Sequence, residues 1–194
     1  MSLAGWLNAA WMVKCSPEAW AFQRATRHVA RTQSEVLAHI LGSGSTSRLY
    51  RALVVEQRIA SNAGGYYQGS ALDDTRFGVY AIPQPGIGFP AVEAAIDDVI
   101  ADLVKNGVSA EELDRAKTRM IADAVYAQDN QSALARWYGV ALTTGATVDD
   151  VKAWPDRIRA VTADEVREAA RSWLDRKRSV TGYLVKELPQ EKHS

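Results

Sequence analysis

Apolar residues recur at helical spacing between Pro90 and Asn106, where Val92, Ile96, Val99, Ile100 and Leu103 form one stripe, and this predicts an amphipathic helix. Pro90 suits its first turn, and Asn106-Gly107 suits a left-handed cap at its end. Ser109 and Glu112 stand at capping-box spacing before a second long helix carrying Leu113, Ala116, Lys117, Met120, Ile121, Ala124 and Val125. Asp129 and Asn130 kink or break it. A further helix over Ala133 to Leu142 supplies Leu134, Trp137, Tyr138 and Leu142 as large core residues, and Gly145 stops it. Thr147 to Asp150 opens a short helix reaching Trp154 and ended by Pro155. A second capping box, Thr162 to Glu165, starts a helix with Val166, Ala169, Ala170, Trp173 and Leu174 inward, and Arg176, Lys177 and Arg178 offset the dipole at its end.

The first part of the chain is patterned differently. Trp6, Leu7, Trp11, Met12, Trp20 and Phe22 show no clean period, and Pro17 interrupts them. Phe22 to Val29 reads as a strand, and Ser34 to Leu41 as a helix with Val36, Leu37, Ile40 and Leu41 on one face. The run Gly42 to Ser45 then leads into a short helix capped by Ser45 or Thr46. Its Leu49 and Leu53 keep a four-residue period, but Glu56 and Gln57 fall one position off it. After Gln57 the pattern turns extended through Tyr66 and Tyr67, and Phe77, Val79 and Ala81 alternate in an antiparallel partner over 76–82. Ser70 to Thr75 connects the two, and Pro83, Pro85, Gly86 and Gly88 end the second. Val180 to Val185 returns as a last strand. The expected fold class is α+β: a two-layer sandwich, largely an antiparallel sheet covered on one face by several helices. The expected organisation is an uncertain N-terminal segment or expression boundary over 1–20, a single domain over 21–188 and a polar tail over 189–194.

With 23 basic and 23 acidic residues, bulk charge points to neither nucleic acid nor a polybasic membrane patch. The single cysteine, Cys15, excludes an intrachain disulfide and reads as an incidental thiol. The apolar start has no basic residues before it and Lys14 interrupts it, so it reads as neither a membrane span nor a signal peptide.

Chemistry-bearing residues are sparse. His28, His39 and His193 show no paired zinc spacing, so no metal site is expected, and His39 reads as a boundary position on its helix. The pairs Asp73-Asp74, Asp97-Asp98, Glu111-Glu112 and Asp149-Asp150 are adjacent, and adjacent helical residues diverge, which suits capping and solvation. Gly42 to Arg48 looks like a phosphate cradle, but it lacks a lysine and follows a helix, so a cap between packed helices is the better reading. Tyr66, Tyr67 and Tyr80 are expected to form cross-strand packing or a strip beside which a peptide could lie. No combination of these histidines and carboxylates offers an activated water and a base, so no catalytic residue is assigned.

Taken in order, Leu41 to Leu53, Glu56, Ile59-Ala60, Gly107 to Leu113 with Ala116-Lys117, Gly145, and Ala160 to Val166 closely resemble the noncatalytic homologous domain of the pitrilysin/insulinase family of zinc metallopeptidases, over about residues 24–185. The resemblance implies a peptidase-like domain that helps a zinc-bearing domain of the same polypeptide enclose a peptide substrate. Zinc belongs to that other domain, and the isolated chain is expected to be inactive. The family's usual substrate-contacting arginine and tyrosine correspond here to Val54 and Ser61, so no substrate-binding residue is carried over. A homologous partner subunit would then bring the arginine and tyrosine. A second implied reading is an inert scaffold or protein-interaction subunit of a processing-peptidase-like complex. Either bacterial periplasm or cytoplasm is compatible, and an excised domain with exposed apolar surface is expected to dimerise.

Overall fold

The computed structural model describes residues 20–26, 31–71 and 75–184. Trp6, Trp11, Cys15, Pro17, His28, the Asp73-Asp74 pair, Val185 and the tail with His193 lie outside the described residues.

Among the described residues four strands form one sheet in the order β2-β3-β1-β4: β1 (Trp20–Thr26), β2 (Ala60–Tyr67), β3 (Thr75–Pro83) and β4 (Val180–Tyr183). Every pairing is antiparallel. The antiparallel partner of the extended run ending at Tyr67 is where the alternation put it, and the last strand returns to the sheet beside β1. The α+β sandwich expected from the sequence is the observed architecture.

The alternation of β3 buries Phe77, Val79 and Ala81. On β2 the pattern is interrupted by a bulge between Ala60 and Asn62. The extra residue lets Ala60 and Ala63 both turn inward while Ser61 and Asn62 stay exposed. Glycines and tyrosines face each other across this hairpin, Gly64 opposite Tyr80 and Tyr66 opposite Gly78. A Cβ on either glycine would lie under 3 Å from the opposite ring, so each tyrosine covers the space its glycine leaves.

Among the described residues seven α-helices accompany the sheet: α1 (Arg31–Gly42), α2 (Phe89–Asn106), α3 (Ala110–Ala127), α4 (Gln131–Thr143), α5 (Val148–Lys152), α6 (Trp154–Ala160) and α7 (Ala163–Trp173). α1 lies on β2 and is itself covered by α3 and α7. Val36, Leu37, Ile40 and Leu41 of α1 meet Ile96, Ile100 and Leu103 of α2, Ile158 of α6 and Val166 and Ala170 of α7 in one apolar cluster. Each large aliphatic side chain removed from water there contributes about 1.5–3 kcal/mol. Pro90 sits in the first turn of α2 as expected. At the other end Gly107 has φ 75 and ψ −154, a positive-φ exit but not the left-handed helical cap. Instead Arg167 of α7 donates to the last carbonyls of α2, Nε to Val104 O at 3.1 Å and Nη2 to Lys105 O at 2.6 Å.

One capping expectation is met and several other local ones are corrected. The Thr162–Glu165 box is complete, and it holds the Glu165 carboxyl below the usual range, chiefly through the Thr162 backbone N–H. The Ser109 box is only half made: Ser109 Oγ accepts from Glu112 N–H, but the Glu112 carboxylate is engaged elsewhere. Pro155 does not end a helix. It opens α6, where a missing N–H costs nothing in a first turn. Leu134, Trp137 and Tyr138 are only half-buried and Leu142 is exposed, because α4 packs mainly on the short α5, and Ala141 is its buried residue. Arg176–Arg178 form a 3-10 turn capped by Asp175, and Arg176 reaches across to Asp97 at 3.0 Å, so that cation anchors α2.

Candidate functional site

The segment from Gly42 to Tyr67 is where the backbone departs most from regular geometry. Gly44, at φ 76, turns the chain, and Ser47 closes that turn by donating both its N–H (3.2 Å) and its Oγ–H (2.8 Å) to Gly44 O. Ser47, and not Ser45 or Thr46, thus supplies the hydroxyl contact. The following helix is a π-helix, Tyr50–Glu56. Gln57 N–H reaches back five residues to Ala52 O and Ile59 N–H six residues to Leu53 O, both at 2.9 Å. The wider turn explains why Glu56 and Gln57 fall off a four-residue period. Leu49 and Leu53 remain fully buried and anchor it.

Val54 lies on this π-helix and packs, half-buried, against the core. Ser61 is the bulge residue of β2, exposed, with its hydroxyl donating to Ile82 O at 3.2 Å. Between them Arg58 holds φ 55, a left-handed conformation that non-glycine residues rarely adopt. Neither Val54 nor Ser61 offers a charge or a phenol.

On the other flank of the π-helix an open groove of about 620 Å³ is lined by Arg48, Arg51, Glu56, Asp102, Glu112 and Arg115, with others. Most of its charges are tied to each other. Arg48 clamps Glu112 with two bonds, Nε to Oε1 at 2.8 Å and Nη2 to Oε2 at 2.7 Å, and also donates to Gly107 O and Asp102. These bonds, with the bond to Glu112 dominant, hold the Arg48 guanidinium above its ordinary pKa. Arg51 pairs with Glu56 at 3.4 Å and Arg115 with Glu111 at 3.6 Å. The groove is a structural joint between the π-helix and the α2–α3 connection. Sequence reasoning missed Arg48 because its partners lie 54 to 64 residues away.

His39 sits half-buried in α1, and its Nε2 is buried without a hydrogen-bond partner. Burial first, and Arg119 second, push its pKa below 6.5, while Asp123 opposes them. The folded state thus prefers neutral imidazole, whereas the unfolded chain takes up a proton as pH falls through 6.5. The stability that His39 contributes is present above that value and lost below it. In His39→Gln, the decline of unfolding free energy between about pH 7 and pH 5, read from urea midpoints, is expected to flatten. An unchanged slope would assign the decline to other groups. Among the described residues no three His, Cys, Asp or Glu side chains converge to hold a metal, and no helix is long and apolar enough to cross a membrane.

Known structures share this fold. A protease from Helicobacter pylori superposes with a TM-score of 0.81 at 21% identity, over 88% of this chain and 41% of its own. The inactive peptidase domain of a candidate zinc protease from Bordetella parapertussis matches with a TM-score of 0.78 at 21% identity, covering 90% of this chain and 96% of that one. A candidate zinc protease from Bordetella pertussis Tohama I gives 0.76 at 22% identity, with 88% and 95% covered. No curated protein sequence matches the chain. The model of the peptidase M16 inactive domain matches residues 18–120, a span that holds the sheet hairpin, the π-helix and the Arg48–Glu112 joint. With motif order, fold and family model in agreement, the chain belongs to the peptidase M16 inactive-domain family.

Proposed function

We propose that this domain is the noncatalytic half of a zinc-dependent metallopeptidase, which binds peptide and closes over it against a zinc-bearing domain of the same polypeptide. The chain spans 41% of the Helicobacter pylori protease, a length that leaves room for such a domain. On this reading the metal and the water it activates belong to that other domain. The arginine and tyrosine that Val54 and Ser61 do not provide would come from a homologous partner subunit.

The observation that carries the reading is the outer edge of β2. Among the described residues no strand pairs with it, and its sequence, ASNAGGYY, contains no charge and no proline. Sheet edges are ordinarily blunted by such residues, and an unblunted edge accepts an extended segment as an added strand. A fluorescein-labelled unstructured peptide titrated with the 194-residue chain is expected to bind saturably and remain intact. The same peptide N-methylated at alternate residues cannot donate to the strand edge and should bind at least about tenfold more weakly. Binding of neither peptide would favour the inert scaffold instead, and equal binding of both would sink strand addition.

A further inference from the structure

We propose that Arg58 is the cationic peptide contact of this domain and gives it a preference for acidic extended segments; this rests on the peptide-binding reading above. Arg58 is two residues before the first residue of the open strand β2, between the valine and the serine that stand where the family's substrate contacts would be. Its backbone is pinned from both sides. Gln57 N–H bonds to Ala52 O, Ile59 N–H bonds to Leu53 O, and Gln84 N–H bonds to Ile59 O, each at 2.9 Å. That clamp forces φ 55 at position 58, a conformation in which glycine is free of strain and arginine is not. Backbone strain held in place by its surroundings concentrates at functional positions.

The side chain is exposed and, among the described residues, makes no hydrogen bond or ion pair. Its neighbours differ: Arg48 is locked by Glu112, and Arg51 pairs with Glu56. A planar guanidinium carried on a backbone fixed at the start of an uncharged strand edge can form two parallel bonds to a carboxylate on a peptide laid along that edge.

The test uses two labelled unstructured peptides, one with glutamate at alternate positions and one with glutamine in its place, titrated against the chain at low and high salt. The wild type is expected to bind the glutamate peptide at least about fivefold more tightly at low salt, with the difference shrinking as salt rises. Arg58→Gly should erase the preference, leave the glutamine peptide's affinity unchanged and not lower Tm, since it relieves the positive φ. Arg58→Lys should retain part of the preference. Arg76→Gln should leave it intact. Arg58→Gly binding both peptides as the wild type does overturns the proposal alone, as does a preference that follows Arg76. A wild type that binds neither peptide overturns the peptide-binding reading together with it.

Discussion

Gly42→Ala is expected to unfold or severely destabilise this domain, by at least about 3 kcal/mol in urea denaturation. Gly42 is the last residue of α1, and a Cβ there would lie 1.7 Å from Gly65 N, 2.3 Å from Gly65 Cα and 2.5 Å from Gly64 C. All three atoms are backbone, so no side-chain rotation can relieve the overlap. Either α1 lifts from β2 or the strand is pushed from its partner, and both routes open the cluster formed by Leu37, Leu41, Ala63 and Val79. Gly139→Ala is the matched control. It lies within α4 with nothing inside 4 Å, and alanine there should stabilise by about 0.5–1 kcal/mol. Equal midpoints for Gly42→Ala and the wild type would show that α1 and β2 are not in contact as described.

Removing the Arg48 clamp should have the second largest effect. Its side chain is 20% exposed and that of Glu112 is 18% exposed, so the pair is mostly shielded from water. Arg48→Ala leaves the Glu112 carboxylate and the Gly107 carbonyl without their donor and is expected to cost about 2–4 kcal/mol. Arg48→Lys should recover only part of this, because an ammonium cannot reproduce the two-pronged geometry. Combining Arg48→Met with Glu112→Met should be less damaging than Arg48→Ala, since no charge is left unpaired. A double variant as unstable as the sum of its single changes would show that the two residues act independently.

The core helices were legible because their burial is written in local spacing. The stripe on α2 and the inward set on α7 follow from a period of 3.6 alone, and the Thr162 cap from a four-residue signature. α4 misled for the same reason. Its large apolar residues satisfy the helical pattern, but pattern does not say whether a neighbouring helix exists to cover them. The Ser109 box shows the limit at a single side chain. The spacing is right, yet Glu112 accepts from a guanidinium 64 residues away in place of the backbone N–H three residues back.

The α+β class, the family, and the valine and serine at positions 54 and 61 could be read from the chain alone, because these depend on residue identity and short-range order. It took the packed fold to make the helix carrying Val54 a π-helix, to put Ser61 on a bulge, and to hold Arg58 at positive φ between them. Those three features arise where α1, the sheet and the core fix both ends of one short segment, and the backbone between them takes whatever geometry joins the ends. The same closure pressed Gly42 against Gly65 and brought Arg48 to Glu112, contacts that no local period encodes.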